Sequence, residues 1–288
     1  MYFLLEKAHG HKSGSGVQEA MRKVFFRVII KGAGDLASGV AHRLWRCGFD
    51  VVMLELPQPL VVRRTVAFAS AVYEGAMLLE GVQARLCREE SEIEELLARR
   101  IIPVLVDPQG TVIAKFKPDV LVDAILAKKN TGTALGDAPI VIGLGPGFVA
   151  GKDVHAVVET KRGHDLGKVI YYGSAAPNTG IPGEVGGFSA ERVLRAPAAG
   201  KFQPSKQIGD LVRQGETVGT VNEAPVMAPI SGLIRGLLYP GLDVYKGMKI
   251  GDIDPRGEEV DYRTISDKAR AVAGGVLEAI LHLSFQQG

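Results

Sequence analysis

The chain has 288 residues, of which 46% are hydrophobic and 23% are charged. These fractions match those of globular domains and exclude a disordered chain. A formal net charge of +2 excludes an extended basic surface for nucleic acid, and the apolar runs are too short to span a membrane. The sequence therefore predicts a cytoplasmic protein of two domains, with small molecules or proteins as partners.

Residues 1–24 mix apolar and charged side chains with glycine and serine, and this composition predicts a flexible tail. The apolar residues 25–30 then end at a glycine turn, which is typical of a buried parallel strand. Helical spacing follows in residues 36–47, with Gly48 where a helix would end, and residues 51–55 form the next apolar run. Together these segments predict a right-handed β-α-β unit.

Strands and helices continue to alternate through the first half of the chain. Further strands are predicted at residues 101–106, 120–122, 140–142 and 154–159, and a glutamate-rich helix at residues 91–100. This alternation is typical of an α/β fold, and we predict a doubly wound, Rossmann-like parallel sheet over residues 25–186.

The amino-acid composition changes at residues 173–187, which are rich in glycine, proline, serine and asparagine. This composition predicts a functional loop or a domain boundary. The following segment contains a gap-free internal repeat with a period of 32 residues, in which Gly200 matches Gly232. Two interlocked copies of so short a unit predict a small all-β module over residues 187–257.

The chain returns to helical spacing near its C-terminus. An apolar stripe in residues 264–283 predicts a helix that needs a partner surface. We therefore expect residues 258–288 to pack back on the first sheet, which makes the β module an insertion.

The segment between the first strand and the first helix carries a glycine fingerprint. Gly32 would permit a tight turn, Gly34 would let the backbone approach a pyrophosphate, and Ala37 would allow close helix packing. Glu55 ends the second strand, where it could accept a hydrogen bond from a ribose hydroxyl. The cofactor-binding residues predicted here are Gly32, Ala33, Gly34, Asp35, Leu36, Ala37 and Glu55. Such a site favours NAD, FAD or another adenine nucleotide over NADP. The alternative is a degenerate site that binds no nucleotide and in which the glycines only form the turn.

Two further loops are predicted to contribute to cofactor binding. Gly145 and Gly147 follow a strand and could form a second anion-binding nest or only a rigid turn. Asn178 and Thr179 lie in a proline-flanked polar loop that could line a ligand or serve as a linker. Asp35 either caps the first helix or points away from the bound anion.

Titratable side chains cluster around the strand predicted at residues 154–159. The catalytic candidates are His155, Glu159, Lys161, Arg162, His164 and, at the end of another strand, Asp123. Strand alternation puts His155 and Glu159 on one face, so the cluster could act in general acid–base catalysis or clamp an anion, or it could be a solvated turn. Neither Cys47 nor Cys87 has a second cysteine or a histidine nearby at metal-ligand spacing, so no metal site is predicted, and Cys47 is expected in the core.

Residues 196–254 resemble the barrel-sandwich hybrid fold of biotinyl and lipoyl carrier domains, in which two quasi-symmetric halves meet at a hairpin. In those carriers a lysine of the hairpin takes the cofactor. The corresponding connection here, residues 221–227, reads VNEAPVM and has no lysine. The resemblance therefore implies the fold without covalent carrier chemistry.

Several unusual strings occur in one order along the chain from residue 25 onwards. They are residues 31–41 (KGAGDLASGVA), 55–59 (ELPQP), 143–148 (GLGPGF), 158–164 (VETKRGH) and 177–180 (PNTG). On these strings the chain resembles the YqeB family of accessory proteins tied to selenium-dependent molybdenum hydroxylases. The resemblance implies a role in maturing such a hydroxylase, with the enzyme or its molybdopterin cofactor as a partner and with sulfur or selenium handling. It supplies no catalytic residues.

The sequence thus predicts a nucleotide-binding maturation protein for a molybdenum hydroxylase, which could form a homo-oligomer. One alternative is an NAD- or FAD-dependent oxidoreductase, in which residues 155–164 would move protons while the cofactor carried hydride. The other is a non-catalytic interaction module with a degenerate Rossmann site. Turnover with an added nicotinamide nucleotide would favour the first alternative, and a lack of nucleotide affinity would favour the second.

Overall fold

The computed structural model describes residues 26–178, 180 and 183–286. Its largest element is a sheet of nine strands. They are β1 (Arg27–Lys31), β2 (Asp50–Glu55), β3 (Ala76–Leu79), β4 (Val82–Cys87), β5 (Ile102–Val106), β6 (Val120–Asp123), β7 (Ile140–Leu144), β8 (Ala156–Val158) and β9 (Val169–Ile170). Their order across the sheet is β3-β4-β5-β2-β1-β6-β7-β8-β9. The tail predicted at residues 1–24 lies outside the described residues.

Five α-helices in the described part of the chain accompany this sheet. They are α1 (Asp35–Arg46), α2 (Ala71–Glu74), α3 (Ile93–Ala98), α4 (Val112–Phe116) and α5 (Asp267–Gln286). Leu44 of α1 and Val272 of α5 belong to one apolar core, and Leu96 of α3 and Phe116 of α4 belong to a second. The central strands are continuous apolar runs because both of their faces are covered, and every residue of β7 is buried. None of the helices in the described part of the chain is long and apolar enough to cross a membrane.

A second group of strands follows the large sheet. They are β10 (Val193–Arg195), β11 (Gly200–Pro204), β12 (Leu211–Val212), β13 (Thr217–Val221), β14 (Ala224–Met227), β15 (Gly232–Leu237), β16 (Asp243–Val244) and β17 (Lys249–Asp254). Residues 192–254, here called the β module, form two antiparallel sheets in the orders β10-β17-β15-β12 and β14-β13-β11-β16. Strands one repeat apart, such as β11 and β15, lie in opposite sheets, so each copy of the repeat contributes to both.

The predicted fold class, a Rossmann-like parallel sheet with an inserted barrel-sandwich hybrid, is wrong. The large sheet is mixed, because β3 pairs antiparallel with β4 at one edge and β9 pairs antiparallel with β8 at the other. The connection from β6 to β7 holds only the 3₁₀ turn Leu135–Asp137, and the described residues between β7 and β8 hold no helix. The regular helical crossovers of a doubly wound sheet are therefore missing on this side. The predicted domain boundaries stay predictions.

The last helix packs tightly on the first helix and on the far edge of the large sheet. A Cβ atom added at Gly39 of α1 would lie 2.8 Å from the Ala269 side chain of α5. Gly275 of α5 lies against the backbone of Gly167, in the turn between β8 and β9. These close approaches hold the start of α5 beside the carboxyl ends of the strands.

Candidate functional site

One large cleft lies where the carboxyl ends of the parallel strands meet the β module. Its volume is about 810 Å³. Lys31, Glu55 and Asp107 line it at the ends of β1, β2 and β5, while Arg192 and Arg235 line it from the β module. Ligands of open α/β sheets bind at this edge of the sheet, and the volume lies in the range of small-molecule sites.

Glu55 braces the turn after β1. One carboxylate oxygen accepts the Ala33 N–H at 2.8 Å, and the other accepts the Leu56 N–H at 2.7 Å. Burial raises the pKa of Glu55 above its ordinary value, and these hydrogen bonds oppose the rise. Gly32 has a φ of +93°, and a Cβ there would lie 3.0 Å from the Ala124 carbonyl oxygen. Close packing of the turn therefore explains why residue 32 is a glycine. The hydrogen bonds of Glu55 to the backbone give it a structural role in holding this turn.

Gly34 differs from Gly32, because no neighbouring atom requires a residue without a side chain at this position. It lies at the N-cap of α1 with φ −66° and ψ −177°, a conformation open to any residue. A Cβ at this position would meet nothing within 4 Å, and Gly34 lines the cleft. Asp35 follows without capping the helix, and its carboxylate lies 3.9 Å from Arg63 Nη1. The open side of Gly34 faces the space in which a ligand would lie.

Gly34→Val tests whether a ligand approaches this turn. We expect the variant to fold, with a loss of at most about 1 kcal/mol because valine is a poorer N-cap than glycine. Its affinity for citrate, used as a probe of the cleft, is expected to fall about tenfold or more because the added methyl groups occupy ligand space. Calorimetric titration beside urea unfolding separates the two effects. Unchanged citrate affinity would place the ligand away from the turn.

Lys31 is held at the end of β1 by a buried network. Its ammonium group donates to Thr133 Oγ1 at 2.7 Å, and the Thr133 hydroxyl donates to Asp123 Oδ2 at 2.6 Å. Lys31 Nζ also lies 3.7 Å from that carboxylate oxygen. Asp123, predicted as a catalytic candidate, is 1% exposed and does not line the cleft. It fixes the position of Lys31 through Thr133.

Only some members of the titratable cluster predicted around residues 154–159 line the cleft. Glu159 lines the cleft, where its carboxylate accepts N–H groups of Thr160, Lys161 and Ala176, each at 2.7 Å. Lys161 and Arg162 also line the cleft, and Arg162 donates to both oxygens of Asp267 at 2.7 and 3.0 Å.

The two predicted histidines lie outside the cleft. His155 Nδ1 accepts the Val141 N–H at 2.9 Å, and burial lowers the pKa of His155. His164 lies exposed in the turn that follows. Neither histidine lines the cleft, so the structure does not assemble a histidine–carboxylate pair there.

The remaining predicted residues fall into three groups. Leu36, Ala37 and Asn178 line the cleft, whereas Thr179 lies outside the described residues. Pro146 lines the cleft, but the flanking Gly145 and Gly147 do not. A Cβ on Gly145 would meet Thr160 Oγ1 at 2.5 Å, and one on Gly147 would meet the Lys129 backbone at 2.7 Å. The second glycine turn therefore packs against protein. Cys47, predicted in the core, is exposed at the end of α1.

Three arginines that the sequence analysis missed converge at the β module side of the cleft. This arginine cluster consists of Arg63, Arg192 and Arg235, and all three line the cleft. Nε and Nη2 of Arg63 and Nε of the other two are buried and donate no hydrogen bond to any described residue. Burial lowers the pKa of Arg63, and the nearby Arg235 lowers it further. Buried donors of this kind call for an additional acceptor.

Nearby acidic residues offset only part of the positive charge of the arginine cluster. Asp252 Oδ2 accepts from Arg192 Nη1 at 3.2 Å, and Asp252 Oδ1 lies 3.6 Å from Lys249 Nζ. Arg235 Nη1 lies 3.8 Å from Asp254 Oδ2. No group of three or more His, Cys, Asp or Glu side chains in the described ranges could hold a metal ion. The incompletely paired guanidinium groups of the cluster are suited to an anion.

A scan of protein-family models finds no match to this chain. Over 259 residues the chain is 54% identical to "Uncharacterized protein YqeB" of Escherichia coli K12. The match covers 90% of this chain and 48% of that protein, so the chain spans about half the length of the curated relative it matches. Over this half the chain is similar to YqeB.

Solved structures give weaker likenesses. A succinylglutamate desuccinylase/aspartoacylase from Rhodobacter sphaeroides is 26% identical, with 22% of each chain covered and a TM-score of 0.20. An aspartoacylase family protein from Mesorhizobium loti is 12% identical, with 80% of this chain and 84% of that chain covered and a TM-score of 0.24. Likenesses at this level assign no activity to the present chain.

These comparisons correct the predicted function. The two solved structures named above are described as a succinylglutamate desuccinylase/aspartoacylase and as an aspartoacylase family protein, and YqeB is described as uncharacterized. The prediction of a nucleotide-binding maturation factor for a molybdenum hydroxylase is wrong against these findings. The structure adds that Glu55, expected to receive a ribose, is bound to two backbone N–H groups.

Proposed function

We propose that this protein binds a small organic anion in the cleft between the large sheet and the β module. The observation that carries the proposal is the arginine cluster, in which Nε and Nη2 of Arg63 and Nε of both Arg192 and Arg235 are buried without an acceptor among the described residues. Guanidinium groups bind carboxylate and phosphate oxygens in pairs, and such charge-assisted hydrogen bonds are strongest where water is excluded.

The charge of the cleft supports the same ligand class. Eight of its lining residues are basic and five are acidic. Two of the acidic residues, Glu55 and Glu159, already accept backbone N–H groups, so they offer less repulsion to an anion than their number suggests. The remaining balance favours a negatively charged ligand.

An apolar rim indicates that the ligand also has an organic body. Leu56 and Leu60 line the cleft, and 47% and 52% of their respective surfaces are exposed. Val61 and Leu126 extend this surface. A bare inorganic ion would leave these side chains in water, whereas the carbon skeleton of an organic anion would cover them.

Arg63→Met tests the proposal through opposite effects on stability and binding. Burial and Arg235 disfavour the charged form of Arg63, so removing that charge is expected to leave the ligand-free protein at least as stable as the wild type. Citrate affinity is expected to fall about tenfold or more, because a charge-assisted hydrogen bond contributes about 1.5–3 kcal/mol. Thermal unfolding and calorimetric titration measure the two effects.

The matched control is Arg213→Met, since Arg213 is exposed on the β module and does not line the cleft. It removes the same charge and should change neither quantity. Equal citrate affinity in the wild type and Arg63→Met, or no citrate binding by the wild type, would contradict the proposal.

The family resemblance leaves one further expectation. An association with a selenium-dependent molybdenum hydroxylase and a molybdopterin ligand stay predictions that rest on the YqeB resemblance alone, and a homo-oligomer also stays a prediction. Pull-down of such an enzyme by the full chain would support the association, and the anion proposal is independent of it.

A further inference from the structure

We infer that the ligand of the cleft carries two anionic groups, of which one binds the arginine cluster and the other binds Lys268. This inference rests on the proposed function and extends it to a ligand class. Lys268 is the second residue of α5 and lines the same cleft. The two basic groups belong to different parts of the fold, since the arginine cluster lies at the β module and Lys268 lies on the helix that covers the large sheet.

The Lys268 ammonium group is half-buried and available. Among the described residues it has no ion pair and no side-chain hydrogen bond. Burial lowers the pKa of Lys268, nearby Asp35 and Glu159 oppose that shift, and Arg162 adds to it. A half-buried cation with no direct partner is unusual, because desolvation of the charge is offset only when an anion lies beside it.

The carboxylates near Lys268 are already bound to other groups. Asp267 accepts hydrogen bonds from Nη1 and Nη2 of Arg162, and Glu159 accepts hydrogen bonds from three backbone N–H groups. Asp35 lies beside Arg63. Within the described ranges none of these carboxylates forms an ion pair or a hydrogen bond with the Lys268 ammonium group, and a ligand anion would fill this role.

The start of α5 fixes Lys268 at the cleft and leaves its side chain as the group that can bind an anion. The Ala269 N–H donates to Ser266 Oγ at 3.2 Å and the Arg270 N–H donates to the Ser266 carbonyl oxygen at 2.9 Å, so these N–H groups are already bound. Lys268 would act on one anionic group, while the arginine cluster acts on the other. A molecule such as a dicarboxylate, or a carboxylate with a separate phosphate, meets both requirements.

A length series of probes tests the inference. The full chain is titrated by calorimetry with unbranched dicarboxylates from malonate to suberate and with the monomethyl ester of each. At the matching length we expect the dicarboxylate to bind about tenfold or more tightly than its monoester, because the second carboxylate gains a charge-assisted hydrogen bond. Lys268→Met should bring this ratio close to one, and Lys268→Arg should preserve it.

Lys152→Met is the control for loss of one positive charge, because Lys152 is exposed and does not line the cleft. It should keep the wild-type ratio. Arg235→Met should weaken both members of each probe pair. Equal affinities of diacid and monoester at every length, with both weakened by Arg63→Met, would overturn the two-group ligand and leave the proposed function standing. Absence of binding by every probe would overturn both.

Discussion

Replacing Gly275 with alanine is expected to destabilise the protein by about 2–3 kcal/mol, although alanine is the better helix former. A Cβ at this position would overlap the carbonyl oxygen of Gly167 and lie 2.8 Å from Val158 Cγ1. The obstruction is backbone in a glycine turn with φ +83°, so it cannot move aside as a side chain would. α5 would have to shift away from β8 and β9. The midpoint of urea unfolding measures the loss.

Gly274→Ala is the matched control because it changes the adjacent residue of the same helix. The nearest atom to its Cβ would be Arg43 Nη1 at 3.8 Å, which is ordinary contact. We expect this variant to gain up to about 1 kcal/mol from helix propensity alone. The two variants should therefore move in opposite directions. Equal stability of both would show that α5 does not pack on this edge of the sheet, and Lys268 would lose its fixed place in the cleft.

Much of the local structure near the first turn could be predicted because it follows from nearby residues. The strand, helix and strand predicted at 25–30, 36–47 and 51–55 agree closely with β1, α1 and β2. Continuous apolar runs identify buried parallel strands, and helical spacing identifies α1. The 32-residue repeat likewise appears as strands in equivalent positions, because turn glycines recur with it.

The edges of the large sheet could not be predicted from the same patterns. β3 and β4 form a hairpin in which β3 has only four residues and the polar residues Gln83 and Arg85 interrupt the apolar run of β4. β9 has only two residues. Short edge strands depend on their hydrogen-bonding partner more than on their own composition. The antiparallel pairs at the edges of the sheet therefore could not be predicted from the sequence.

The arginine cluster could not be predicted from the sequence for a different reason. Arg63 lies in a loop after β2, and Arg192 and Arg235 lie more than a hundred residues further along the chain, so no local spacing relates them. Glycine-rich turns attracted the prediction because their pattern is local. The structure explains Gly32, Gly145 and Gly147 largely by close packing, and it places the unpaired charges elsewhere in the cleft.

Asp252→Ala is expected to be the most destabilising change at the cleft. Asp252 is 2% exposed, and it is bound to Arg192 and lies beside Lys249. Removing one partner of a buried ion pair leaves an uncompensated charge and typically costs about 3–5 kcal/mol. The exposed pair of Asp243 with Lys201 supplies the control, since Asp243→Ala should cost well under about 1 kcal/mol. Urea unfolding of both variants checks the difference.

Citrate should restore part of the stability that Asp252→Ala loses. An anion bound to the arginine cluster would replace the missing carboxylate, so the unfolding temperature of Asp252→Ala should rise more with citrate than that of the wild type. The neutral polyol glycerol at the same concentration controls for general solvent effects. A large loss of stability without rescue would mean that the acidic residues serve the docking of the β module alone, which would count against a ligand at the arginines. Rescue by citrate in Asp252→Ala but not in Asp243→Ala would place the anion at the cluster itself.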